Sequence, residues 1–235
     1  MVEEQINHVS KSPWIIGTGR SERFISPKRT YADMNFNSIP QECDWEKIFS
    51  QGSQMRRKDL FNAIFKELNS WIVSSYYDSS FSGTTCNLVV ITPNLLVCAH
   101  VGDSRAIIIS EVNGEWKYDL LSRDHKPTIP TEKIWIEACG GFVDSIRKDT
   151  IAYGPHWVWK KGTLYPGLAM SWSLGDKVAK SIGVSAVPDL IEVEFNQFHK
   201  IVILASDGVW EFMSAEEVMR NVVPYYKNDQ VEWAS

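Results

Sequence analysis

The chain has 235 residues, 44% hydrophobic and 23% charged, with a formal net charge of −5. That is enough apolar content for one packed domain and marginal length for two, and general disorder is not expected. The mildly acidic balance argues against nucleic-acid binding, which needs a basic footprint, and suits a site that gathers divalent cations.

Residues 1–54 are rich in Ser, Asn, Pro and charge, with short apolar islands such as Trp14-Ile15-Ile16. They read as irregular: an extension, or part of the fold with a weak local signal. The first stretch, MVEEQINHVSKS, lacks the apolar centre of a secretory signal. Residues 55–235 read as the folded domain. Within it, Leu60, Phe61, Ile64, Phe65, Leu68, Trp71 and Ile72 recur at spacings of three and four, which predicts an amphipathic helix over 55–77. A strand series follows. CNLVVIT and LLVCAHV flank a Pro93-Asn94 turn, RAIIIS follows a Gly-Asp-Ser turn, and Asn113-Gly114 leads into EWKYDLLS. Four strands in hairpin order predict an antiparallel sheet. TEKIWIEACGG reads as a short helix closed by glycine. After a stretch read as irregular, HKIVILAS fits a strand buried on both faces. SAEEVMRNVV reads as a helix with Ser214 and Glu217 in a capping box. The sum is an α+β fold of antiparallel sheets covered by helices.

Cysteines stand at 43, 86, 98 and 139 with no CxxC pair, and three of them lie within or beside apolar runs. Such thiols pack as small hydrophobes, which predicts reduced cysteines in an intracellular protein, cytoplasmic or nuclear. No apolar run approaches the length of a membrane span, so a soluble chain is expected.

Two segments carry chemistry. In Ile203-Leu204-Ala205-Ser206-Asp207-Gly208 a strand runs into a carboxylate followed by glycine. An ionised carboxylate avoids a core unless paired or bound to a cation, and glycine permits close backbone approach. Asp207 is therefore either a hard-cation ligand or the cap of the next turn. In His100-Val101-Gly102-Asp103-Ser104-Arg105 a strand again delivers an Asp after a glycine. Asp103 could share a cation cluster with Asp207, or it could serve only a tight hairpin turn.

Five ordered segments resemble the type 2C family of metal-dependent serine/threonine protein phosphatases. They are SSFSGTTCNLVVI, CAHVGDSRAIII, LLSRDHKPTIPTEKIWIEACGGFV, PGLAMSWSLGDKVAKSIGVSAVPDL and IVILASDGVWEFMSAEEVMRNV, and they span roughly 140 residues. GPHWVWKKGTLYPGLAMS most resembles plant and protist members. The resemblance implies a sandwich of two antiparallel β-sheets flanked by helices. It implies a cleft at one end that holds two or more Mg²⁺ or Mn²⁺ ions, and hydrolysis of phosphoserine and phosphothreonine in phosphorylated protein substrates. By this mapping Asp207 is a metal ligand, Gly208 beside it serves backbone geometry, and Asp103 matches a third, weaker metal site. Asp176 is a secondary cleft candidate. Asp124-His125-Lys126-Pro127 reads as a structural connection, with His125 a hydrogen-bonding residue. Trp157, Trp159 and Tyr165 fall in the flap segment, either packed or touching substrate.

The sequence also departs from the family. The Asp-Gly-His-Gly-Gly motif has no counterpart in residues 1–81, and Lys28–Met34 is only a weak match to the upstream phosphate-gripping Arg and acidic pair. A final Asp-Asn motif and strand are not found before Ser235, so the fold is expected to be incomplete at its C-terminus. Trp172 stands where relatives usually carry Arg, His156-Trp157 stands in place of an Arg-containing flap motif, and His100 replaces a common Asn. Two readings follow: an active phosphatase with segments outside this sequence, or an inactive pseudophosphatase acting as a binding or structural subunit with scaffold partners.

Overall fold

The computed structural model describes residues 15–18, 48–49, 52–148 and 151–227. Its apolar runs form two antiparallel sheets packed face to face. Strands β1 (Ile15–Thr18), β3 (Cys86–Ile91), β4 (Leu95–Val101) and β11 (Asp189–Glu194) form a sheet in the order β1-β3-β4-β11. Strands β5 (Arg105–Val112), β6 (Glu115–Leu120) and β12 (His199–Ala205) form another in the order β12-β5-β6.

The period of two along β4 and β5 explains the layers. Leu96 and Cys98 of β4 meet Ala106 and Ile108 of β5 between the sheets. Val97, Ala99 and Val101 face the other way, onto Leu60, Phe61 and Phe65 of helix α1 (Gln54–Ser74). Ile107 and Ile109 of β5 face Trp210, Ala215 and Val218, which belong to two further helices described below. Both faces of β4 and β5 are thus covered, which is why their sequences are unbroken apolar runs. Full burial of Phe61 or Phe65 contributes about 2–3 kcal/mol each. Arg57 ties α1 to β11, with Nε and Nη2 donating to the two carboxylate oxygens of Glu192 at 2.8 and 2.7 Å.

The remaining elements form a smaller body. Strands β7 (Gly141–Lys148), β8 (Ile151–Lys160) and β9 (Pro166–Leu168) make a third sheet. Helix α2 (Pro130–Ala138) and the single turn α3 (Lys177–Lys180) pack on it through Ile136, Val143, Val158 and Ala179. A short ladder pairs β2 (Gly83–Thr84) with β10 (Leu174–Gly175). Helices α4 (Asp207–Trp210) and α5 (Ala215–Lys227) follow β12.

Several expectations hold. Asn113 and Gly114 both have positive φ, as a two-residue hairpin turn requires. The capping box forms, with Ser214 N–H donating to Glu217 Oε2 at 2.8 Å and Glu217 N–H to Ser214 Oγ at 3.2 Å. Others are corrected. The four strands of the hairpin series do not make one sheet, because the chain leaves one sheet after β4 and enters the other at β5. The Gly-Asp-Ser turn is therefore a crossing between layers, not a hairpin. β12 is half-buried rather than buried on both faces, since among the described residues it is the edge strand of its sheet. The stretch read as irregular between α2 and β12 holds β7 to β11 and α3. Of residues 1–54, Ile15–Thr18 pairs with β3. Cys43, Arg29, Asp33 and the residues after Lys227 lie outside the described residues.

Candidate metal cleft

The ladder between β5 and β12 sets the site. Ala205 is paired with Arg105, so the end of β12 that delivers Asp207 lies beside the start of β5 that follows Asp103. Both carboxylates line one cleft of about 350 Å³ at that end of the ladder. Arg105, Asp124, Lys126, His156 and Glu211 line it too.

The turn that carries Asp103 is built for close approach. Gly102 has φ +95°, and a Cβ there would sit 2.3 Å from Thr85 Cγ2, so only glycine fits. Thr85 Oγ1 and Ser104 Oγ are 2.7 Å apart, which docks the Ser-Gly-Thr-Thr segment on the turn. His125 locks the other side. Gly102 N–H donates to His125 Nδ1 at 3.0 Å, and His125 N–H donates back to the Gly102 carbonyl at 3.0 Å. Asp103 itself is 4% exposed, and its Oδ2 is ion-paired with Lys126 Nζ. Next to it, Arg105 donates to both oxygens of Asp124 at 3.0 and 2.9 Å and lies over the Trp210 ring.

Asp207 opens α4 on the exposed lip of the cleft. Ser206, not Asp207, occupies the N-cap position, so the capping alternative is not what the geometry shows. The carboxylates of Asp207 and Glu211 make no hydrogen bond or ion pair among the described residues. Glu211 was not singled out from the sequence. Its spacing of four from Asp207 was the available signal, because i and i+4 share a helix face. Gly208 has room for a Cβ, whose nearest neighbour would be Ser206 Oγ at 3.4 Å. Packing therefore gives no reason for that glycine.

Asp176 does not line this cleft. It sits in the left-handed region at φ 45° before α3, buried, with its N–H donating to the Ser82 carbonyl at 2.8 Å. A Cβ on Gly83 would fall 1.9 Å from Asp176 Oδ2, so this carboxylate is packed directly on the β2 backbone. Burial raises the pKa of its carboxyl, opposed by a hydrogen bond from Ser173 and the nearby Lys180. Its position ties α3 to β2 and the 79–83 segment.

Two of the sequence departures meet at one place. Trp172 stacks on His125 with centroids 4.3 Å apart and planes 7° apart, and His100 stacks on the opposite side at 4.8 Å and 13°. Trp172 Nε1 donates to Glu132 Oε2 at 2.6 Å. His125 accepts at Nδ1, so its neutral form carries the proton on Nε2 and donates to Asp189 Oδ2 at 3.2 Å. That bond holds the Asp189 carboxyl below the usual range. Burial, then the nearby His125, lowers the His100 pKa to about 4. His100, His125 and Asp189 offer ligand atoms within 4.8 Å of one another and so could hold a metal ion. The set has two imidazoles and one carboxylate, which suits a softer ion than Mg²⁺, and both His125 nitrogens are already engaged. In the flap segment Trp157 stacks on Trp159, whose Nε1 donates to the Asp144 carbonyl at 2.9 Å, so these two indoles pack. Tyr165 contacts Phe81 edge-on and is 41% exposed.

Asp207, Glu211 and Asp103 bring carboxylate oxygens to one cleft, the donor type a hard divalent cation takes, and Asp103 is already engaged by Lys126. Comparisons with known proteins point the same way. The sequence matches the family model described as Protein phosphatase 2C over residues 28–227. Probable protein phosphatase 2C 73 of Arabidopsis thaliana is 32% identical over 207 residues, covering 79% of this chain and 54% of that protein. Probable protein phosphatase 2C 65 of the same plant is 34% identical over 200 residues, covering 83% of this chain and 52% of that protein. The chain thus spans about half the length of the curated relatives it matches. Among solved structures, the serine-threonine phosphatase 2C of Toxoplasma gondii aligns with a TM-score of 0.68 at 21% identity, covering 84% of this chain and 66% of that one. A C. elegans sex determining protein aligns with a TM-score of 0.60 at 22% identity, covering 77% of this chain and 41% of that one. These structural likenesses show the fold, and the family match takes in both Asp103 and Asp207. The chain belongs to the protein phosphatase 2C family.

Proposed function

We propose that this chain carries the catalytic cleft of a Mg²⁺- or Mn²⁺-dependent protein phosphatase that hydrolyses phosphoserine and phosphothreonine in proteins. The observation that supports it most is the delivery of Asp103 and Asp207 into one cleft from adjacent strand ends. Divalent ions bound there supply Lewis acidity and an acidified water for in-line displacement at phosphorus. Asp207 and Glu211 are the residues that would hold such an ion, because their carboxylates are open to solvent at the cleft. Arg105 and Lys126 add positive charge to the wall, which favours entry of a phosphate dianion, although each is partly neutralised by its own carboxylate. Thr128, Pro155 and His156 also line the cleft. Phosphorylated proteins are the substrate class this reading requires. An intracellular setting is supported by the free thiols Cys86, Cys98 and Cys139. Among the described residues no helix is long and apolar enough to cross a membrane.

The test compares wild type with Asp207→Asn in two assays: calorimetric Mn²⁺ binding, and phosphopeptide hydrolysis with and without chelator. Expected is metal-dependent turnover in wild type, and loss of both turnover and the tightest Mn²⁺ binding in the variant. Turnover that survives the substitution or the chelator would sink the reading.

A further inference from the structure

A second pocket, of about 380 Å³, shares no lining residue with the metal cleft. It lies between α2 and residues 180–185, and its size is that of a small-ligand site. Helix α2 supplies Glu132 and Trp135, which are three residues apart and so share a helix face. The Trp135 indole is pinned by its N–H on the Gly183 carbonyl at 2.9 Å. The residue is nevertheless 58% exposed, and its ring stacks on no other aromatic ring among the described residues. Trp172 supplies a second indole. His125 covers one face of it, and its N–H donates to Glu132 Oε2, so the other face is the one left for the pocket. That bond also fixes Glu132, whose Oε1 makes no hydrogen bond or ion pair among the described residues.

Two charged side chains line the pocket, Glu132 and Lys180. Lys180 turns its ammonium into the wall, where Nζ donates to the Ser173 carbonyl and Oγ and to the Ser185 carbonyl. The buried Asp176 is the counter-charge that acts on it. Lys133, next to Glu132 in sequence, pairs instead with Glu137 at 3.8 Å. The Glu132 carboxylate is therefore the uncompensated charge of the pocket. A hard metal ion does not fit, because indole faces stand where it needs oxygen ligands. An organic cation does: the face of an indole attracts it, and a carboxylate completes the attraction. We propose that this pocket binds an organic cation, an alkylated ammonium head group, held against the indoles of Trp135 and Trp172 with Glu132 as its counter-charge.

The inference concerns a pocket apart from the metal cleft and does not rest on turnover. Its test is an NMR titration of the 235-residue chain in metal-free buffer, following the indole N–H signals. The signals missing from Trp135→Phe and Trp172→Arg assign the two indoles. The probes are choline, its neutral isostere with a tert-butyl group in place of trimethylammonium, and a short neutral peptide carrying one trimethyllysine. Choline is expected to shift both signals, and the neutral isostere to bind roughly tenfold more weakly or less. Glu132→Gln keeps an oxygen for the Trp172 N–H but removes the charge, and is expected to weaken choline binding roughly tenfold. Trp135→Ala is expected to lose binding and Trp135→Phe, which keeps a ring, to retain part of it. Trp172→Arg sets a guanidinium beside Glu132 and is expected to abolish binding. Should Trp135→Ala unfold, Trp135→Phe and Glu132→Gln, which keep the packing, carry the test. A peptide that binds tighter than choline assigns the head group to a protein side chain, and equal binding assigns it to a free quaternary amine; both support the site. No shift with either cation, a neutral isostere as tight as choline, or unchanged choline binding in Glu132→Gln overturns the proposal.

Discussion

Trp172 packs on His125 and bonds Glu132, and these contacts give a quantitative expectation for its removal. The indole stacks on His125 at 4.3 Å and 7°, a geometry that contributes about 0.5–1.5 kcal/mol beyond area burial. Its N–H reaches a carboxylate oxygen of Glu132 at 2.6 Å, a charge-assisted bond of about 1.5–3 kcal/mol. The ring is only half-buried, so the low end of each range applies, and loss of its packed area adds on the order of 1 kcal/mol. Trp172→Ala is therefore expected to lose about 3 kcal/mol, which in a protein of this size lowers Tm by roughly 6–12 °C. Thermal unfolding followed by circular dichroism reads this directly. Trp172→Phe keeps the stack without the N–H and is expected to lose about half as much. Trp172→Arg is expected to stay within about 1 kcal/mol of wild type, because a planar guanidinium stacks on imidazole and also pairs with Glu132. A Trp172→Ala variant that melts within about 2 °C of wild type, or a Trp172→Arg variant as unstable as Trp172→Ala, would refute this account of the stack.

Two further outcomes follow from buried charge. Glu192→Ala strands the Arg57 guanidinium, whose side chain is 10% exposed, and is expected to cost about 3–5 kcal/mol by urea unfolding. The double variant Arg57→Met/Glu192→Met should recover most of that loss, and a double variant worse than the single would contradict it. The pH dependence comes from His100, whose folded pKa of about 4 lies below its ordinary value of 6.5. Between these values the unfolded chain binds a proton that the folded chain refuses, so stability falls as pH drops from 6.5 to about 4 and then levels off for this group. The full effect is up to about 3 kcal/mol. His100→Asn removes that part of the slope, and an unchanged slope in the variant would show that another group causes it.

Much of the larger body was legible because its strands are apolar on both faces. LLVCAHV and RAIIIS are covered by a sheet on one side and a helix on the other, so an apolar run alone identified them. The smaller body was not legible. β8 contains Gly154 and Pro155, is exposed from Ala152 through His156 and buried at both Val158 and Trp159, and its register with β7 shifts between Asp144 and Ile146. That breaks the alternation on which strand reading depends. The separation of the hairpin series into two sheets was hidden for a different reason: local sequence specifies a reversal at Gly102-Asp103, while the choice of partner strand is decided by packing. At the site, Asp103 and Asp207 were legible as carboxylates at strand ends. Lys126 was not, because its partner is 23 residues away in sequence and the intervening strands bring them together.

The β5–β12 ladder has one irregularity, between His199 and Ile201, at the end remote from the cleft. From Ile201 to Ala205 every rung is regular up to the two carboxylates. The ladder therefore acts as a fixed gauge for the spacing of Asp103 and Asp207, with its slack confined to the far end. A change of length engineered into the Asn196–Phe198 turn is therefore expected to be taken up at that bulge, leaving the gap across the cleft at its width.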